Sequence, residues 1–126
     1  MPIAGAVFVA LAAVLHAYIF LMESIWWTLP AIWKRFGVAS QAAAETTRPM
    51  AYNQGFYNLF LGAGAALGLL LYFTGQPSAG AALVLFTTGS MALAATVLLT
   101  TGQRYLRTAL AQGTLPLVGF VLFLFA

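Results

Sequence analysis

Four apolar runs, at residues 3–29, 50–74, 79–100 and 103–126, take up most of this 126-residue chain. Each is long enough to cross a hydrocarbon core of ~30 Å at 1.5 Å of rise per residue. Hydrophobic residues make up 63% of the sequence and charged residues 6%, against about 25% charged in a soluble domain. Water cannot solvate the surface such a chain would present, whereas a bilayer can. The sequence therefore predicts an all-α membrane protein, with four transmembrane helices packed as a bundle in a single domain over residues 1–126.

Proline and glycine punctuate the runs. The first ends at Pro30, and the second is expected to begin just after Pro49, since the first turn of a helix has no use for the missing N–H. Thr74-Gly75-Gln76-Pro77-Ser78 reads as a tight turn, and Thr101-Gly102 separates the third run from the fourth. Pro116 lies inside the fourth, where a kink is expected. Residues 31–48 form the one long connection. Ile32, Trp33 and Phe36 flank Lys34 and Arg35 there, as in a short helical segment lying in the headgroup region, and Ser40 can cap a polar helical turn through Gln41 and Arg48.

All five basic residues bear on topology. Lys34, Arg35 and Arg48 fall between the first and second runs, Arg104 and Arg107 open the fourth, and the turn between the second and third has none. The positive-inside rule then places both termini outside (N-out, C-out) and the charged connections in the cytoplasm, with Trp26, Trp27 and Trp33 as an interfacial belt at that edge. A net charge of +3 spread in this way makes no basic stripe, so nucleic acid is not an expected partner, while membrane lipids are. The chain has no cysteine, which removes disulfides, thiolate metal sites and a thiol nucleophile. The first run lacks the basic start and cleavage site of a signal peptide and is expected to be retained as a helix.

The polar residues inside the runs carry the functional signal. His16 and Glu23 lie seven residues apart on nearly one face of the first span. Their axial separation of ~10 Å rules out direct contact and demands partners from other helices. On the second span Asn53, Gln54, Tyr57 and Asn58 fall ~4 to ~12 Å inward from Met50, and on the fourth Thr108 and Gln112 fall ~8 and ~14 Å from Gln103. These depths coincide in the cytoplasmic half, so Glu23 is expected opposite the amides of the second span and Gln112. An intramembrane carboxyl marks a functional site by default, although hydrogen bonding that only fixes helix register would use the same residue types. The expected catalytic pair is Glu23 and Tyr57, and the expected ligand-binding set is His16, Asn53, Gln54, Asn58, Gln112 and Trp27. His16, the sole histidine, has no second nitrogen ligand beside it, so neither a metal nor a cofactor is expected. Gly64 and Gly68, and the stripe Ala6, Ala10, Ala13 and Ala17, read as close-packing surfaces. Thr87, Thr88 and Ser90 are expected to bond their own helix carbonyls.

At these positions the chain resembles a family of small bacterial membrane proteins known as domain of unknown function 1304. The resemblance lies in His16-Ala17-Tyr18-Ile19-Phe20-Leu21-Met22-Glu23, Trp27-Thr28, Pro30 and Phe36-Gly37. It continues in Asn53-Gln54-Gly55-Phe56-Tyr57-Asn58 and Gln112-Gly113-Thr114-Leu115-Pro116, in family order over nearly the whole chain. It implies a four-helix protein of the bacterial inner membrane and brings no reaction with it. The basic run expected after Pro30 is reduced here to Lys34 and Arg35, which weakens a polybasic lipid-headgroup site, and Trp26 stands beside Trp27.

Three functions fit. One is a membrane-embedded pocket for a lipophilic small molecule, with acid/base isomerisation or cyclisation driven by Glu23 and helped by Tyr57. The second is a non-catalytic accessory subunit of a larger membrane complex or homo-oligomer, suited by the small loops and small-residue surfaces. The third is a proton-coupled small-solute transporter, for which Glu23 would serve as relay.

Overall fold

Short polar breaks decide where the helices start and stop. In the computed structural model, which describes residues 2–126, α1 (Pro2–Phe20) runs into a π-helical turn (Leu21–Ile25), and a short α2 (Pro30–Trp33) follows. The remaining helices are α3 (Gln41–Phe73), α4 (Pro77–Thr100) and α5 (Leu106–Leu124), the last entered through a 3-10 turn at Gln103–Tyr105. No strand occurs among the described residues. Four helical stretches, Pro2–Ile25, Gln41–Phe73, Pro77–Thr100 and Gln103–Leu124, are long and apolar enough to cross a membrane, which makes this a multi-pass membrane protein.

The bundle runs up and down. α1 packs on α3 and α5, α4 packs on the same two, and α1 and α4 face each other diagonally with little contact. Residues such as Val7, Leu11, Leu70, Phe86 and Leu93 point outward, so the helices are apolar on their outer faces as well as their inner ones. One half of the interior is densely filled by Val9, Ala12, Ala65, Val84, Met91 and Phe123, with Tyr72 stacked edge-on against Phe123 at 4.8 Å. Gly64 and Gly68 both face α4, so the small-residue pair on the second span serves packing within the chain. Gly80 marks the closest approach in this half: a Cβ there would collide with the backbone of Tyr72 and press on the carbonyl of Gly68. Thr87 and Thr88 donate to the carbonyls of Leu83 and Val84 at 2.8 and 2.7 Å, satisfying their hydroxyls inside α4.

The second span departs from the expected start near residue 50. α3 begins at Gln41, capped by Ser40, whose Oγ accepts from the Ala43 N–H at 3.1 Å, and it continues unbroken through Pro49. Pro49 removes the hydrogen bond to the Glu45 carbonyl, but Glu45 is exposed, so that carbonyl stays solvated. The three alanines at 42–44 supply the helix propensity that carries the chain through. The 33 residues of α3 measure ~50 Å, well beyond the ~30 Å of a hydrocarbon core, so its first turns project past the apolar slab.

The first span also ends early, at Ile25 rather than Leu29, and the tryptophans after it are not simply a belt. Trp27 and Trp33 are buried, packed with Ala44 and Ala51 against Phe36 and Val38. The Trp27 indole donates to the Ala44 carbonyl at 3.0 Å, and that of Trp33 to Gln41 Oε1 at 2.8 Å. Gln41 in turn donates to the Thr28 carbonyl at 2.8 Å. These bonds fold residues 26–40 against the projecting turns of α3. Trp26 alone of the three is exposed, edge-on to Tyr18.

Candidate ligand-binding site

The site starts from the π-helical turn. Its wider winding, seen in the Trp26 N–H bonding to the Leu21 carbonyl five residues back at 2.8 Å, turns three consecutive residues inward: Met22, Glu23 and Ser24 are all buried. Met22 joins Ile19 and Ile32 in a small apolar cluster, with Arg35 Nη1 3.8 Å from its sulfur. Ser24 Oγ donates to the Tyr52 carbonyl at 2.8 Å, which ties the turn to α3. Between these anchors lies Glu23, 7% exposed, whose Oε1 accepts from Asn58 Nδ2 at 2.6 Å. The same Asn58 amide also donates to the Gln54 carbonyl at 3.2 Å, so its orientation is set from two sides. Oε2 of Glu23 has no hydrogen bond among the described residues, yet no buried side-chain oxygen or nitrogen there is left without a partner. That second oxygen is therefore open to the space beside it.

The space is a cavity of about 620 Å³ at the end of the bundle opposite the packed half. Glu23 borders it from the first span and Trp27 from the segment that follows, Gln54, Tyr57, Asn58 and Leu61 from α3, and Thr108 and Gln112 from α5. α4 adds the apolar wall of Ala94, Val97 and Leu98, and Thr101, Tyr105 and Phe36 form the rim. Six of the residues singled out from sequence, Glu23, Trp27, Gln54, Tyr57, Asn58 and Gln112, thus meet around one volume. His16 and Asn53 do not. His16 is sunk between α1 and Gly62 of α3, and its Nδ1 donates to the Ala12 carbonyl at 2.9 Å. Asn53 is exposed on the outer side of α3. Seven residues of rise, ~10 Å, set His16 deeper in the bundle than Glu23, against Gly62 and out of reach of the cavity.

None of the five cations borders the cavity. Arg104 stacks over Tyr105 at 4.7 Å and donates to its hydroxyl at 2.6 Å, while Arg35 reaches Tyr18 OH at 2.9 Å and Lys34 lies over Trp33 at 5.7 Å. No three histidine, cysteine, aspartate or glutamate side chains converge among the described residues, so no ready-made metal cage faces the cavity.

Residues 10–124 match a protein family described as "Protein of unknown function (DUF1304)". The chain belongs to that family. The family match covers every residue that borders the cavity. No curated protein and no solved structure matches the chain.

The α4 wall and the rim carried no sequence signal of their own. Ala94, Val97 and Leu98 look like any lipid-facing residues, and Tyr105 and Phe36 sit beside cations that read as topology markers. Gly55 is a further silent member. A Cβ there would overlap the Ser24 hydroxyl and stand 3.0 Å from the Ser24 backbone nitrogen, so only glycine lets the first span come close enough for Glu23 to meet Asn58. Gly55→Ala is expected to cost about 1–3 kcal/mol through overpacking. Ser24→Ala in that background should restore part of it, by removing the hydroxyl but not the backbone contact. Equilibrium unfolding in mixed detergent micelles measures both, and unchanged stability in Gly55→Ala would mean that the two spans do not meet there.

Proposed function

We propose that the bundle holds a lipophilic small molecule inside the membrane and that Glu23 moves a proton on it. The observation that carries this reading is the meeting of a carboxyl and a carboxamide from separate spans, 2.6 Å apart, on the wall of a cavity of about 620 Å³. Small-molecule sites typically enclose about 300–1,000 Å³, mostly apolar with a few convergent polar groups, and this cavity has both properties. Asn58, Gln54 and Gln112 would orient a hydroxyl, carbonyl or epoxide oxygen. The Glu23 carboxyl would then protonate that oxygen or a neighbouring double bond, and the carboxylate left behind would take a proton from an adjacent carbon. The proton count is unchanged over the cycle, so isomerisation or cyclisation of an isoprenoid-like substrate would need no redox partner or cofactor. Tyr57 would share the proton work.

The basic residues gathered at the cavity end support an orientation with this end toward the cytoplasm of a bacterial inner membrane. A transporter needs a path through the bundle, and the filled far half around Val9, Val84 and Met91 speaks against one.

Purification from native membranes in mild detergent, followed by mass spectrometry of everything retained, tests the proposal. The expected result is one lipophilic compound other than bulk phospholipid, held in near-stoichiometric amount and depleted in Asn58→Leu. A stoichiometric protein partner with no retained small molecule would instead make the chain an accessory subunit.

A further inference from the structure

Resting on the reading of the cavity as a ligand site, we infer that its occupant is a single-chain amphiphile with an uncharged oxygen head, taken sideways from the bilayer through a gap between α3 and α4.

The gap follows from how the seams between helices close. In the far half α3 and α4 touch at Gly80, and Gly64 lies against Thr87. Toward the cavity both helices border the open volume, and several of the residues they present to it are exposed. Tyr57 on α3 and Val97 on α4 are each 61% exposed, and Gln54, Ala94 and Thr101 are exposed too. Elsewhere the lining is less exposed: Glu23 and Trp27 are buried, and Phe36, Thr108 and Gln112 are half-buried. Ser24 on Gly55, with Phe20 edge-on to Phe56 at 5.0 Å, seals the first span to α3. Ala95 lies against Gly113 where α4 meets α5, beside a separate groove of about 180 Å³. Trp27 lies against Phe36, ring centres 5.1 Å apart, where both border the cavity. The opening therefore faces lipid, along ~10 Å of α4 from Ala94 to Thr101.

The head group follows from what lines the interior. Asn58, Gln112 and Thr108 offer neutral hydrogen bonds, and no cation borders the cavity to neutralise a phosphate or carboxylate. Glu23 is held by Asn58 through Oε1, and Oε2 is left to exchange a hydrogen bond with a hydroxyl head. The apolar wall of Leu61, Ala94, Val97 and Leu98 leads from these groups to the gap, so a chain attached to the head can lie along it and emerge into the acyl layer. An anionic head would be buried without compensation.

A diazirine-tagged hexadecanol in proteoliposomes reads out the position and rate of entry, with labelled peptides mapped by mass spectrometry. Labelling is expected at Leu61 and over residues 94–98, competed by hexadecanol but not by hexadecyl phosphate or hexadecylamine. Val97→Trp, which fills the gap from a lipid-exposed position, should slow labelling of Leu61 by about tenfold, mainly through the entry rate. Leu93→Trp, on the outward face of α4, should leave it unchanged. Ala94→Trp provides a second plug with the same expected result. Saturable labelling of Leu61 at an unaltered rate in both plugged variants would overturn the lateral entrance while leaving the cavity a ligand site. Equal competition by the phosphate or the amine would overturn the uncharged head. Absence of saturable labelling in the unsubstituted protein would remove the ligand site itself and the entrance with it.

Discussion

Replacing Glu23 by glutamine is expected to leave the bundle folded and to slow conversion of its bound compound by about 10²–10⁴-fold, the usual contribution of a positioned general acid or base. Glutamine preserves the length of the side chain and still presents an oxygen to Asn58 Nδ2, which holds Oε1 at 2.6 Å in the native protein. What it removes is the transferable proton. The compound retained by the wild-type protein is the substrate to use, with conversion followed by chromatography and mass spectrometry in proteoliposomes. Tyr57→Phe should have the smaller effect, because Tyr57 is 61% exposed at the entrance whereas Glu23 is enclosed. Full turnover by Glu23→Gln would end the catalytic assignment. Retention without conversion in the wild type would leave a binding protein in place of an enzyme.

Gly80→Ala is expected to be the most damaging single-methyl change in the chain. The atoms around a Cβ at this position are the backbone nitrogen and Cα of Tyr72 and the carbonyl of Gly68, none of which can rotate aside. The only relief is for α3 and α4 to move apart, which would loosen the contacts of Val84 and Tyr72 in the filled half. Overpacking of this kind typically costs about 1–3 kcal/mol and occasionally more, and the upper end is expected here. Ala82→Val, on the exposed face of the same helix, should stay within about 0.5 kcal/mol of the wild type. Unfolding in mixed micelles of rising sodium dodecyl sulfate content compares them. Equal midpoints for Gly80→Ala and the wild type would mean that α3 and α4 do not touch at this point.

The sequence announces the four spans because length and apolarity are properties of single segments, independent of what each helix packs against. Counting residues inward from the charged ends was enough to bring Glu23, Gln54, Asn58 and Gln112 to one level, since axial rise is nearly constant. Angular position is less secure. The π-helical turn at Leu21–Ile25 left no mark in the sequence, and it turns Met22, Glu23 and Ser24 inward together. Pro49 is ambiguous for a related reason. A proline is compatible with the first turn of a helix and also with an exposed interior position, and only the Ser40 cap with the packing of Ala44 decides between them. Trp27 and Trp33 carry the composition of a membrane interface, but their indole nitrogens bond to α3. The α4 side of the cavity stayed hidden because alanine, valine and leucine look alike whether they face lipid, a neighbour or an opening.

The anchors on either side of Glu23 have a consequence for the outcome of any reaction there. Met22 is wedged into its apolar cluster and Ser24 is tethered to Tyr52, so the residue between them has little freedom to swing. A proton handed over from so fixed a point reaches a planar carbon from one side alone. On the proposed chemistry, a product carrying a new stereocentre should emerge in a single hand.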